Sequence, residues 1–166
     1  KQQFAEPTSD SPVLGKDVVR FVQQVLGVFL YYARVINCTM LVALSAIASE
    51  QQEPTQATLD KVDQFLDYAA SQETAILTFQ PSDMVLAVHS DASYLSVAKA
   101  RSRVGGHFFM SSDVEHPQNN GAVLTVAQII KTVMSSAAEA EVGALYINAR
   151  EAIPLRTTLK EMGHAQ

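Results

Sequence analysis

Val85-Leu86-Ala87-Val88-His89-Ser90-Asp91-Ala92-Ser93-Tyr94 is the stretch on which the fold class turns. Aliphatic and β-branched residues crowd its first half, which predicts a strand over 84–89 with Asp91 standing just past its end. Upstream, 75–79 reads as another short strand, joined to the first by the turn-forming Pro81-Ser82-Asp83. Downstream, 104–111 reads as a strand entered through Gly105-Gly106, and 122–130 as a further one beyond the turn-rich 113–121. The spacing predicts an antiparallel meander.

On either side of these β-rich runs the period changes. Ser136-Ala137-Ala138-Glu139 has the spacing of a capping box and opens a long helix, which Pro154 is expected to kink or split. Towards the N-terminus, Val18, Phe21, Val22, Val25, Leu26, Phe29 and Leu30 recur at three- and four-residue steps, so an amphipathic helix runs over 17–35. A second helix covers 40–49, and a third follows Pro54 with Thr55 as N-cap and Leu59, Val62, Phe65, Leu66 and Ala69 as its buried stripe. Its acidic positions, Asp60, Asp63 and Asp67, read as a solvated face. The fold class is therefore α+β: a flexible lead-in at 1–15, a three-helix segment at 16–73, and a sheet with a long C-terminal helix at 74–166, with the helical segment packed on the sheet.

Composition narrows the function. The 166 residues carry a net charge of -5, which excludes a broad cationic surface for nucleic acid, so such contact has to be local. Lys99, Arg101 and Arg103 put three positive charges into five residues and can grip phosphates. The longest apolar stretch, 25–36, is interrupted by Arg34 and is too short for a membrane span. The single cysteine, Cys38, excludes an internal disulfide, reads as a buried small hydrophobe, and fits a reducing intracellular location, cytoplasmic or nuclear. The four histidines are too scattered in sequence for a zinc signature. Lys1 reads as the start of a fragment.

Two carboxylates stand out, Asp91 just past the end of an apolar strand and Glu141 on the first turns of the long helix. Acids in such an arrangement can converge on divalent cations. The segment 83–166 resembles the ribonuclease H domain of copia-type retrotransposon polyproteins. Ser90-Asp91-Ala92-Ser93-Tyr94, Ser102-Arg103-Val104-Gly105-Gly106-His107-Phe108-Phe109 and Met134-Ser135-Ser136-Ala137-Ala138-Glu139-Ala140-Glu141-Val142-Gly143-Ala144-Leu145 carry the likeness. Upstream, Val25-Leu26-Gly27-Val28-Phe29-Leu30-Tyr31-Tyr32-Ala33-Arg34 and Phe65-Leu66-Asp67-Tyr68-Ala69 resemble the helical connection between reverse transcriptase and that nuclease.

The resemblance implies a ribonuclease H-like, antiparallel or mixed sheet, and a parent activity of metal-dependent hydrolysis of RNA in RNA/DNA hybrids. It implies Asp91 and Glu141 as catalytic, metal-ligating acids for Mg²⁺ or Mn²⁺, two ions when the site is complete. Glu139, about 200° around the helix from Glu141, keeps the capping role. Lys99, Arg101 and Arg103 would touch the hybrid backbone. The family's later acidic strand does not precede Gln166, so the resemblance implies an incomplete sheet, inactive alone unless a second copy or partner chain completes it. The alternative is a non-catalytic, retroelement-derived binding or assembly module.

Overall fold

The computed structural model describes residues 11–166, which divide into a helical unit ending at Ile76 and an α/β unit, Leu77–Gln166. The expected lead-in lies largely outside the described residues. Its last part is tethered, since the Leu14 N–H donates to the carbonyl of Pro54 at 2.8 Å.

In the helical unit α1 spans Lys16–Val35, a short 3-10 turn covers Cys38–Met40, α2 spans Leu41–Glu50 and α3 spans Gln56–Ser71. The apolar stripes meet as their spacing demands: Val22, Val25 and Leu26 of α1, Leu44 and Ile47 of α2, and Val62 and Phe65 of α3 are all buried. Phe29 meets Phe65 edge to face, with ring centroids 5.0 Å apart. Thr55 caps α3 in a reciprocal box with Thr58. Glu50, at the end of α2, is held by Lys61 at 2.7 Å and by the Thr58 hydroxyl at 2.9 Å. The Asn37-Cys38-Thr39 interruption becomes the 3-10 turn. It buries Asn37 and Met40 and leaves Cys38 exposed, contrary to the buried position its apolar neighbours suggest.

The second unit is a three-stranded open sheet in the order β1-β2-β3, with β1 at Val85–Val97, β2 at Arg101–Ser111 and β3 at Ala122–Ile129, both pairings antiparallel. The chain is thus α+β with the expected meander, reduced by one strand. Residues 75–79 form no strand and pair with none. Just beyond them, Asn120 holds the backbone of Gln80. Its side-chain amide accepts from the Gln80 N–H at 2.7 Å and donates to the Gln80 carbonyl at 3.0 Å, taking the place of a neighbouring backbone. Gly121 has no room for a side chain beside Thr78 and Phe79.

The central strand buries every second residue from Ser102 to Phe108 on one face and Phe109 on the other, with Phe108 and Phe109 each 0% exposed. Helix α4, Ala137–Glu161, lies over one face. Small residues at Ala140 and Ala144 let it approach closely, and Val104, Phe108, Val126 and Ile130 complete that core. Ser136 caps α4 by accepting from the Glu139 N–H at 3.1 Å. The other half of the expected box is displaced by one residue, since the Glu139 carboxylate accepts from the N–H and hydroxyl of Ser135, both at 2.6 Å. The helix is not split at Pro154 but continues through it.

Candidate functional site

Side chains alternate across a strand, so the register decides which sheet face each residue occupies. Ser90 pairs with Gly106 and Asp91 with Gly105. The Asn148 amide, on α4, donates to the Ser90 hydroxyl and to the Gly105 carbonyl, each at 2.8 Å, so Ser90 lies on the α4 face. A methyl group added to Gly106 would overlap the Asn148 amide, whereas one added to Gly105 would lie 4.0 Å from the Cβ of Asp91. Asp91 therefore projects from the opposite face, which we call the outer face.

Asp91 also sits within β1 rather than beyond its end, because the strand continues to Val97. Glu141 lies in the second turn of α4, exposed on the flank of the helix next to buried Ala140. The structure does not bring the two carboxylates together. Among the described residues no three His, Cys, Asp or Glu side chains are grouped to hold a metal ion. Two Mg²⁺ ions in such chemistry stand about 4 Å apart, each with oxygens at about 2 Å, and Asp91, on the face away from α4, does not fit a pair shared with Glu141.

Two of the basic residues, Arg101 and Arg103, lie instead on the outer face. Arg101 and Arg103 alternate with buried Ser102 and Val104, which places both on the side of β2 that carries Gly105 and, across the ladder, Asp91. Lys99 stands in the hairpin turn at 98–100, exposed. Arg103 is half-buried, its Nη1 has no hydrogen-bond partner, and burial pushes its pKa below the ordinary guanidinium value. The buried Nη1 is itself out of reach of solvent, so an anionic oxygen meets the exposed part of the guanidinium.

Further along the same face His89 and His107 sit directly opposite each other on β1 and β2. Their rings, 6.4 Å apart, both contact Phe109, at 5.0 and 5.1 Å. They line an open cleft with Thr78, Gln80, Asn119, Asn120 and Gly121. The sequence spacing of these histidines hid their pairing, because 17 intervening residues include a hairpin turn with no conventional turn signal. Comparison with models of known families, with curated proteins and with solved structures finds no match to this chain. Among the described residues no helix is long and apolar enough to cross a membrane.

Proposed function

We propose that the chain is a ribonuclease H-like segment of a copia-type retrotransposon polyprotein, with hydrolysis of RNA in RNA/DNA hybrids as the parent reaction. We further propose that, as folded here, it binds hybrid without cutting it. The observation that carries the descent is the element order: an antiparallel three-stranded meander followed by a Ser-capped helix lying on the first two strands. That is the order the copia-type resemblance calls for, with Asp91 on the first strand and Glu141 in the first turns of the helix. Such a protein works inside the cell, in cytoplasm or nucleus.

The placement of the two acids favours binding over hydrolysis. Mg²⁺ or Mn²⁺ supplies metal-assisted water activation in this chemistry, but carboxylates on different surfaces do not hold it jointly, so no catalytic step is assigned to them. Lys99, Arg101 and Arg103 make the backbone contact. Their common position near the hairpin end gives a local cationic patch on a chain of net charge -5, which suits phosphate contact without sequence readout.

Hybrid binding followed by fluorescence anisotropy over a range of salt tests this. Binding should weaken with salt, and replacing Arg101 and Arg103 by Ala should weaken it further and lower the salt slope by about 1 per charge removed. Absence of hybrid binding at low salt would remove the nucleic-acid reading.

A further inference from the structure

We propose that His89 and His107 form a binding site for a borderline divalent transition-metal ion, Zn²⁺, Ni²⁺ or Cu²⁺, clamped across two strands of the outer face. Residues directly opposite in an antiparallel ladder have Cβ atoms about 5 Å apart, so two imidazoles there can reach one ion by small side-chain rotations. The rings already stand 6.4 Å apart, both propped against the buried ring of Phe109.

The hydrogen bonding of His107 prepares it for this role. Its Nε2 lies 3.1 Å from the backbone carbonyl of Asn120, which only accepts, so Nε2 carries the proton and Nδ1 of the neutral ring keeps its lone pair. An imidazole anchored through one nitrogen on a carbonyl and free at the other is the usual state of a metal-bound histidine. The anchor is itself rigid, because the Asn120 amide is tied to Gln80 and to the carbonyl of Met110 at 2.9 Å.

Above the rings the cleft is open, with a volume of about 590 Å³, so water reaches them. Thr78, Gln80 and Asn119 add neutral oxygen donors at its wall. No carboxylate or thiolate joins the pair among the described residues, so water or these oxygens fill the remaining positions. Two imidazoles without carboxylate oxygens select Zn²⁺, Ni²⁺ and Cu²⁺ over Mg²⁺, which keeps this site separate from the proposed hybrid chemistry.

The test uses the full chain and NiCl2 as probe, read by thermal unfolding. Ni²⁺ should raise the melting temperature while MgCl2 should not, because only the folded state presents both rings together. His89→Asn and His107→Asn should each weaken Ni²⁺ binding about tenfold or more, the loss reported for removing even an outer partner of a ligand. His116→Asn and His164→Asn should leave it unchanged. On the unsubstituted chain, substoichiometric Cu²⁺ should selectively broaden the ring NMR signals of His89 and His107, which keeps the proposal testable should a variant fail to fold. No thermal shift with Ni²⁺, an equal shift with Mg²⁺, a shift retained in both outer-face variants, or broadening centred on His116 or His164 would overturn it.

Discussion

The side-chain amide of Asn148 fills the space that a side chain at residue 106 would occupy, so Gly106 and Asn148 lock α4 to the middle of the sheet as a matched pair. Asn148 is 1% exposed and ties the Ser90 hydroxyl and the Gly105 carbonyl to the helix. Gly106→Ala should therefore destabilise the protein by about 1–3 kcal/mol through overpacking. Asn148→Ala should cost a similar ~1–3 kcal/mol by leaving the Gly105 carbonyl unpaired. Urea unfolding of the two single variants and the double variant should show the losses to be strongly non-additive, because the alanine at 148 makes room for the methyl at 106. Additive losses would mean that the two residues do not share that space.

Pro154 sits inside an unbroken helix, on its exposed side, where it removes the N–H that the carbonyl of Arg150 would accept from. Pro154→Ala should stabilise the protein, by up to about 3 kcal/mol. A variant no more stable in chemical denaturation would mean that α4 bends there at little cost.

Lys99 and Ala100 hold φ of 62° and 53° in the turn between β1 and β2, a left-handed conformation that neither residue type favours. Ala100→Gly should relieve part of this, raising stability by about 1 kcal/mol in thermal or chemical unfolding. A loss of stability would place the turn in another conformation.

The Glu139 carboxyl is held below the usual carboxylate range, first by the Ser135 hydroxyl and then by the Ser135 N–H. A lowered folded value means that the start of α4 is tightest above the unfolded glutamate range, about pH 4.3, and loosens as pH falls through the folded value. Hydrogen exchange at the Ser135 amide should accelerate, beyond the intrinsic pH trend, only below about pH 4.3. Glu139→Gln should remove that extra pH dependence. Protection of Ser135 that is independent of pH in the parent chain would contradict the assignment.

Much of this architecture could be read from periodicity. The stripes of α1 and α3, the Thr55 and Ser136 caps and the three ladder strands follow local rules that a single chain displays. Residues 75–79 misled because β-like composition does not say whether a neighbour will pair. Only at the adjoining Gln80 does a partner from 40 residues away, the Asn120 side chain, bond the backbone. The length of β1 was hidden by its polar residues, of which Asp91 and Ser93 alternate on the exposed face while Ser90 turns to Asn148 on the other. The site depended on register. Whether Asp91 shares a face with Glu141 or with Arg101 and Arg103 turns on a one-residue choice of pairing. That choice is made at a hairpin whose left-handed residues are lysine and alanine rather than glycine or asparagine. The cross-strand pairing of His89 and His107 was illegible for the same reason.

Incubation of the chain with an end-labelled RNA/DNA hybrid in Mg²⁺ or Mn²⁺, with bound and cleaved hybrid followed in the same samples, bears most directly on the separation of Asp91 from Glu141. The proposed reading predicts retained hybrid and no RNA product, with Asp91→Asn behaving like the parent chain. RNA cleavage that Asp91→Asn and Glu141→Gln each abolish would contradict it, since both carboxylates would then have to serve one metal site.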